Sequence, residues 1–248
     1  MNRTAIITGA SRGIGRAIAL GLAKRGFDLA LNDIEHQKQH LLETVEAVKE
    51  LGRRCVPVFA DVSDAAECKR LAQASIDGLG HIDALVNNAG ILRMATIEEM
   101  TPELWDQTFA VNTRGVFQMT QSIIGHMKTR QYGRIVNIAS LAARTGGPGQ
   151  AHYAASKSAV VGFTRVSSME FAGDGITVNA VCPGIIKTEM GMNNLRDPEK
   201  IAYFEKVTDV HRLGEPEDVV GPVAFFASDD CAFVTGQALN VDGGIFYS

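Results

Sequence analysis

The sequence predicts a doubly wound parallel α/β sheet, because short apolar segments alternate with longer amphipathic ones along all 248 residues. The short segments are apolar at consecutive positions and rich in Ile, Val, Ala and Leu, as in strands covered by helices on both faces. No linker or repeat divides the chain, so we expect one domain over residues 1–248. The seven predicted strands lie at residues 4–8, 28–32, 55–60, 84–87, 134–138, 177–182 and 238–241.

Helices are predicted where apolar residues recur every three or four positions between these strands. The clearest pattern is that of Leu41, Val45 and Val48, with Glu and Lys on the opposite side. Residues 188–213 are polar and poorly periodic, and we expect them to leave the core as an excursion beside the substrate. The predicted helices lie at residues 14–25, 35–51, from 63 onward, 102–129 and 151–171.

Composition argues against several classes of protein. The net charge is −4 and no run of Lys or Arg is present, which argues against a nucleic-acid partner. The first apolar stretch is too short for a signal peptide, and no apolar run approaches the ~18 residues of a membrane span. We therefore expect a cytoplasmic protein with no membrane partner. The four cysteines stand far apart and the six histidines lack ligand spacing, so neither a disulfide framework nor a metal site is predicted.

Gly9, Gly13 and Gly15 lie between the first predicted strand and the first predicted helix. A dinucleotide pyrophosphate must approach the backbone closely, and glycine has no side chain to block it. The helix N-terminus adds free N–H groups and a positive dipole end. The spacing is G-x-x-x-G-x-G rather than the commoner G-x-G-x-x-G, and a tight turn without a ligand would also explain these glycines.

Tyr153 and Lys157 are four residues apart on a predicted helix and therefore share one face. Carbonyl reduction near neutral pH requires lowering a tyrosine pKa by about three units, or ~4 kcal/mol. An ammonium about 4 Å from the phenolic oxygen supplies ~4 kcal/mol at an effective dielectric of about 20. A solvated helix face is the alternative explanation of this pair. Ser140 favours catalysis, because it ends the fifth predicted strand, at the sheet edge where ligands bind.

Taken together, these motifs resemble the short-chain dehydrogenase/reductase family in its compact form. The resemblance covers essentially the whole chain and implies a Rossmann-type sheet of seven parallel strands. The matching segments are Thr8-Gly9-x-x-x-Gly13-Ile14-Gly15, Asn87-Asn88-Ala89-Gly90, Ser140, Tyr153-x-x-x-Lys157, Pro183-Gly184-x-x-x-Thr188 and Val241-Asp242-Gly243-Gly244.

The resemblance implies a role for each member of a catalytic set. Tyr153 would be the general acid and base, Lys157 would lower its pKa and hold the ribose, and Ser140 would polarise the substrate oxygen. Asn112 would hold a water that links Lys157 to solvent. The cofactor-binding residues implied are Gly9, Ser11, Arg12, Gly13, Ile14, Gly15, Asp33, Asp61, Val62, Asn88, Ala89, Gly90, Tyr153, Lys157, Pro183, Gly184, Ile186 and Thr188.

Asp33, at the end of the second strand, predicts NAD rather than NADP as the cofactor. An acidic residue there accepts hydrogen bonds from the adenosine ribose and would repel a 2′-phosphate. Arg12 argues the other way, but an exposed charge pair contributes only ~0–1 kcal/mol. The alternative role for Asp33 is an N-cap of the helix at 35–51. Asp61 resembles the residue that touches adenine, and its alternative is a cap of the helix near Ser63.

The substrate is predicted to be a small secondary alcohol or ketone, and the enzyme an NAD-dependent dehydrogenase or reductase. The residues expected to line the pocket are mixed in polarity, which suits a polyol, sugar or hydroxyketone slightly better than a long alkyl chain. An NADP-dependent 3-oxoacyl-carrier-protein reductase is the alternative, and a non-catalytic cofactor-binding regulator is a remote one. His152 is expected to be structural or solvent-facing rather than a substrate contact. The expected substrate residues are Ser140, Leu141, Arg144, Gln150, Tyr153 and Gly184.

A homotetramer is expected, as in most members of the family that the chain resembles. The helices predicted at 102–129 and 151–171 carry apolar residues on more than one side, so one face is left to be covered by another chain. The chain also ends in residues 244–248, which include three large apolar residues at 245–247 and would otherwise fray. We expect this tail to dock at a two-fold interface.

Overall fold

The computed structural model describes residues 3–195 and 197–247. It contains one sheet of seven strands in the order β3-β2-β1-β4-β5-β6-β7, and all six pairings are parallel. The predicted doubly wound sheet is confirmed, and no strand end is shifted by more than one residue. The strands are β1 Thr4–Thr8, β2 Asp28–Asp33, β3 Cys55–Phe59, β4 Ala84–Asn87, β5 Gly133–Ile138, β6 Ile176–Pro183 and β7 Ala238–Val241.

The central strands β1, β4, β5 and β6 are buried at every position, which explains why their sequences are apolar on both faces. Alternate residues enter separate cores on the two sides of the sheet. Ile7 packs in the core that contains Leu22, while Ile6 packs in the core that contains Leu71 and Ile123. These two cores hold the sheet rigidly beneath the loops at its carboxyl edge.

The helices cover both faces of the sheet, and two of the predicted helices are not continuous α-helices. The predicted helix at 102–129 is interrupted by a π-helical turn, Ala110–Arg114, and the one at 35–51 opens with the 3₁₀ turn Glu35–Gln37. The α-helices are α1 Gly13–Ala23, α2 Lys38–Glu50, α3 Ala65–Leu79, α4 Pro102–Phe109, α5 Gly115–Arg130, α6 Ala142–Thr145, α7 Ala151–Phe171, α8 Glu189–Asn194, α9 Pro198–Val207 and α10 Val220–Phe226.

The excursion at 188–213 contains the two helices α8 and α9, although its sequence is poorly periodic. Both begin at side-chain caps: Thr188 accepts the N–H of Gly191 (3.0 Å), and Asp197 accepts that of Glu199 (2.9 Å). A parallel bridge between Ile186 and residue 214 closes the base of the excursion. Local capping thus replaces hydrophobic periodicity as the reason for these helices.

No helix among the described residues is long and apolar enough to cross a membrane. The C-terminal tail is described as far as Tyr247, so the final residue of the expected docking segment lies outside the described residues. The described part turns back on the chain. The Phe246 N–H donates to the Asp242 carboxylate (3.1 Å), and the Tyr247 hydroxyl bonds to Asp209 at the end of the excursion.

Candidate active site

The loops that follow β1 and β4 meet at the centre of the carboxyl edge, where the strand order reverses. The hydroxyl of Thr8 accepts the N–H groups of Asn88 and Ala89 (3.0 Å each), and the Asn88 side chain donates to the carbonyls of Thr8 and Gly9 (2.9 Å each). A Cβ on Gly9, where φ is +64°, would lie 2.9 Å from Ala89 Cα. This switch point is where open α/β sheets bind nucleotides.

The first turn of α1 is built to receive an anion. Arg12 occupies its N-cap position without a side-chain cap, and no acidic residue lies in the first turn. The leading N–H groups of the helix therefore lack a side-chain acceptor and lie at the positive end of the helix dipole. A Cβ on Gly15 would lie 2.1 Å from the Gly9 carbonyl oxygen, so the turn would have to shift for any other residue there. This chemistry fits a dinucleotide pyrophosphate, and Ile14 packs behind it on the core.

Asp33 ends β2 beside this turn. Its carboxylate accepts the N–H of Ser11 (3.2 Å) and that of Ile34 (2.9 Å). The N-cap position of the following 3₁₀ turn is Ile34, so the alternative role of Asp33 as a helix cap is wrong. The carboxylate instead joins the end of β2 to the turn between β1 and α1, and its role toward the ribose stays a prediction.

The helix cap considered for Asp61 belongs to Asp64. The Asp64 carboxylate accepts the N–H groups of Ala66 (2.7 Å) and Glu67 (3.0 Å) at the start of α3, whereas the Asp61 carboxylate accepts the N–H of Ser63 (2.8 Å) in the preceding turn. The alternative role of Asp61 as the cap of α3 is therefore wrong. Its role toward adenine stays a prediction.

Asn112 lies in the π-helical turn and is fully buried. Its side-chain amide donates to the Ile91 carbonyl (3.0 Å) and the Ser156 hydroxyl (3.1 Å), and its oxygen accepts the Ile91 N–H (2.8 Å). π-Helical turns are often found at functional sites. Here the turn aims one amide at both the loop after β4 and helix α7.

Helix α7 brings Lys157 to the end of β5. The ammonium donates to the Ile138 carbonyl (2.8 Å), and the side chain is buried. A Cβ on Gly90 would lie 3.3 Å from the Asn112 side-chain oxygen and 3.4 Å from the Lys157 ammonium nitrogen. The backbone at Gly90 therefore passes between the two side chains, and the three elements converge on one point.

Tyr153 and Ser140 complete this cluster. The Ser140 hydroxyl accepts the N–H of Ala142 (3.1 Å) and is hydrogen-bonded to the half-buried Tyr153. The Lys157 ammonium lies 5.8 Å from the centre of the Tyr153 ring. The four predicted catalytic side chains are thus brought together from three elements: the end of β5, the π-helical turn and α7.

The prediction that Lys157 lowers the Tyr153 pKa is wrong for the arrangement seen here. Burial raises the Tyr153 pKa above its usual value, and the hydrogen bond to Ser140 only partly opposes this. Burial also lowers the Lys157 pKa to about 8. Both charged forms lose solvation, and the ammonium is directed at a backbone carbonyl rather than at the phenol.

The expected substrate residues divide between the cluster and the neighbouring edge of the sheet. Leu141 donates its N–H to the Pro183 carbonyl (2.8 Å), and Gly184 donates to Val241 (3.0 Å). The Arg144 guanidinium donates to the Ala238 carbonyl (3.2 Å). Their roles toward substrate stay predictions, as does that of Gln150, which immediately precedes α7.

The remaining expected cofactor residues lie along the same edge. Val62 is buried, and a Cβ on Gly115 would lie 2.9 Å from it. Ile186 is buried at the base of the excursion, and Thr188 caps α8.

His152 is fully buried, and neither ring nitrogen has a hydrogen-bond partner within residues 3–195 and 197–247. A solvent-facing position is therefore wrong for this side chain. The structure gives no physical account of why a histidine occupies this place.

Of two residues that organise the cluster, Ser156 was not predicted from the sequence, and Thr8 was named only as the first residue of the glycine motif. Ser156 accepts from Asn112 and donates to the Tyr153 carbonyl (2.7 Å), and Thr8 joins the two central loops. Ser156 directly precedes Lys157, but serine on a helix gives no signal that it is buried. The ion pair between Arg12 and Glu189 was also missed, because its members are 177 residues apart.

Comparison with known proteins agrees with this site. A family model described as enoyl-(acyl carrier protein) reductase matches residues 9–246. The chain is 39% identical to a 3-oxoacyl-[acyl-carrier-protein] reductase FabG of Staphylococcus epidermidis, over 99% of this chain and 100% of that protein. It is 40% identical to a (2S)-[(R)-hydroxy(phenyl)methyl]succinyl-CoA dehydrogenase subunit of Thauera aromatica, over 98% and 96% of the two chains. Levodione reductase superposes with a TM-score of 0.93 at 35% identity, over 98% of this chain and 96% of that one.

These matches span nearly the whole chain at identities well above the level needed for a shared family. The protein belongs to the short-chain dehydrogenase/reductase family. It is an oxidoreductase that acts on a CH–OH group with NAD or NADP as acceptor.

Proposed function

We propose that the enzyme transfers a hydride between NAD and a secondary alcohol or ketone of polyol, sugar or hydroxyketone type. The observation that carries this proposal is the convergence of Ser140, Tyr153 and Lys157 with Asn112 beside the switch point of the sheet. A partly exposed pair of hydroxyls next to a buried ammonium suits proton exchange with a substrate oxygen.

In this proposal the bound nicotinamide supplies or accepts the hydride, and the chain's own residues manage the proton. Tyr153 donates its phenolic proton to the substrate oxygen during reduction and takes it back during oxidation. Ser140 donates a hydrogen bond that orients the same oxygen. Lys157 holds the ribose, and Asn112 keeps the loop after β4 and helix α7 in register.

Asp33 supports NAD as the physiological cofactor. Its carboxylate would accept hydrogen bonds from the ribose hydroxyls, and a 2′-phosphate there would replace those bonds with charge repulsion. The loss of one charge-assisted bond costs ~1.5–3 kcal/mol, which corresponds to a preference of at least ~10-fold. Arg12 could offset part of this, but its guanidinium is paired with Glu189.

A 3-oxoacyl-carrier-protein reductase that uses NADP is the second candidate. It is supported by the 39% identity to the Staphylococcus epidermidis reductase, whose name states that activity. Residues 8–17 and the chain ending also resemble that subgroup. The position of Asp33 favours the first candidate.

The test is a panel of substrates offered to the purified protein with each cofactor. Polyols, sugars and hydroxyketones are assayed with NAD, and a 3-oxoacyl thioester with NADPH, by absorbance of the reduced nicotinamide. The proposal expects higher kcat/KM with NAD and a polyol-type substrate. Efficient turnover of the thioester with NADPH, without turnover of the polyol set, would establish the second candidate.

We also propose a homotetramer. Phe117 on α5 and Val166 on α7 are 45% and 55% exposed, although Val116 and Val160 on the same two helices are buried. Phe117 also meets Phe163 edge to face (6.4 Å), so the exposed apolar surface is continuous across the two helices. Light scattering should give a mass near four times the 26.6 kDa of one chain. A monomer at micromolar concentration would contradict the proposal.

A further inference from the structure

The excursion at 188–213 approaches the glycine turn between β1 and α1 through its own first two residues, Thr188 and Glu189. A Cβ on Gly13 would lie 3.2 Å from the Thr188 methyl group, and Glu189 forms an ion pair with Arg12. Within the described ranges 3–195 and 197–247, Arg12 has no other ion pair. Helix α8 is therefore joined to the turn by one ion pair, and the residue that caps it lies close to Gly13.

Arg12 also lies next to the residue that meets Asp33. The Ser11 N–H donates to the Asp33 carboxylate, and Arg12 follows directly in the chain. If Asp33 binds the adenosine ribose, a phosphate on that ribose lies within reach of a guanidinium in this turn. Rossmann-type sites that accept NADP use an arginine near the ribose to accommodate the 2′-phosphate. Arg12 is thus the cation in this turn that could pair with a 2′-phosphate, and its guanidinium is already paired with Glu189.

We propose that Glu189 is a cofactor-selectivity residue, which acts by competing with the 2′-phosphate of NADP for the Arg12 guanidinium. The inference rests on the proposed placement of the ribose at Asp33. For Arg12 to bind the phosphate, it must release Glu189 or share its charge with a second anion. Both side chains are more than half exposed, so the contact is screened by solvent. An exposed pair of this kind changes an affinity by about two- to fivefold.

The experiment measures dissociation constants by calorimetry for NAD, NADP, 5′-AMP and 2′,5′-ADP at fixed ionic strength. The two fragments isolate the 2′-phosphate from the nicotinamide, so the readout does not depend on turnover. Glu189→Gln should bind NADP and 2′,5′-ADP about two- to fivefold more tightly, with NAD and 5′-AMP unchanged. Glu199→Gln, on α9 of the same excursion, makes the same change in net charge and should have no such effect.

A second pair of variants tests whether the effect passes through Arg12. In an Arg12→Ala background, Glu189→Gln should no longer change the affinity for 2′,5′-ADP. An equal gain in Glu199→Gln would mean that only net charge matters, and a gain that persists without Arg12 would remove the competition. Either result, or no change in Glu189→Gln, overturns the inference. A wild-type protein that binds NADP as tightly as NAD would instead count against the proposed cofactor, while the response to Glu189→Gln still decides this inference.

Discussion

The two ends of the cleft are held together by different forces. At the catalytic end, Asn112 and Lys157 are 0% and 3% exposed and are fixed by hydrogen bonds to Ile91, Ser156 and Ile138. At the nucleotide end, the Arg12 and Glu189 side chains are 54% and 61% exposed and meet as an ion pair in solvent. A buried network of hydrogen bonds therefore holds the catalytic end, whereas an ion pair screened by solvent holds the nucleotide end.

This difference predicts how each end responds to substitution. A buried group that loses its partner keeps the full cost of desolvation, and the cost is large because no water replaces the lost bond. An exposed ion pair is replaced by hydration when it breaks, so its loss changes affinity by a small factor. We therefore expect the catalytic end to decide whether the enzyme works and the nucleotide end to adjust which cofactor it prefers.

The largest expected effect is at Tyr153. Tyr153→Phe removes the proposed proton donor and should lower kcat by ~10²–10⁴-fold. The affinity for cofactor should stay nearly unchanged, because the hydroxyl acts on the substrate oxygen. Steady-state kinetics and calorimetry check the two parts. A variant that kept more than about a tenth of the wild-type rate would remove Tyr153 from the catalytic role.

Lys157→Met should abolish turnover and stabilise the fold at neutral pH. The Lys157 pKa falls from 10.5 to about 8 on folding, so at pH 7 the folded protein carries the full cost of a buried charge. Removing that charge should raise the free energy of unfolding by ~1–2 kcal/mol after the lost bond to Ile138 is subtracted.

The pH dependence gives this prediction its control. Between pH 8 and pH 10.5 the folded lysine loses its proton before the unfolded one, so wild-type stability rises and the advantage of the variant shrinks. Thermal unfolding at pH 7 and pH 10 measures both gaps. An advantage of the same size at the two pH values would show that charge burial is not the cause.

The nucleotide end also contains a buried residue, Gly15, where we expect a larger effect than at the exposed ion pair. Gly15→Ala would place a Cβ 2.1 Å from the Gly9 carbonyl oxygen and 2.6 Å from the Asn88 amide, so the turn must shift. We expect a loss of ~1–3 kcal/mol in stability, together with weaker NAD binding. Gly125→Ala, on α5 with open space around it, should instead stabilise the protein by up to ~1 kcal/mol. Similar effects for both variants in denaturant melts would contradict the steric explanation.

The smallest expected effect in this series is at Asp33. Asp33→Ser removes the carboxylate that would repel a 2′-phosphate and should shrink the NAD to NADP ratio of kcat/KM by ~10-fold. The bond that it makes to Ser11 is partly exposed, so stability should change by less than ~1 kcal/mol. If the wild type used both cofactors equally, the carboxylate would not be the selective element.

The sheet and the glycine turn after β1 could be predicted from the sequence, whereas the nucleotide role of that turn stays a prediction. Strands buried on both faces must be apolar at consecutive positions, and that pattern is local, so strands such as 84–87 could be located to within a residue. The glycine spacing at 9, 13 and 15 is also a local requirement, since it reflects the space left beside each Cα. For the same reason, the four-residue spacing of Tyr153 and Lys157 placed both on one helix face.

The hydrogen bonds that hold the site, the pKa values of its side chains and its ion pairs depend on contacts that form only when the chain folds. The π-helical turn at 110–114 is accompanied by bonds from Asn112 to partners 21 and 44 residues away, which no local periodicity records. The raised Tyr153 pKa depends on how completely α7 and β5 exclude water, and the engagement of Arg12 depends on a glutamate 177 residues later. Desolvation and charge pairing are set by distances in space, so they remain undetermined until the chain is folded.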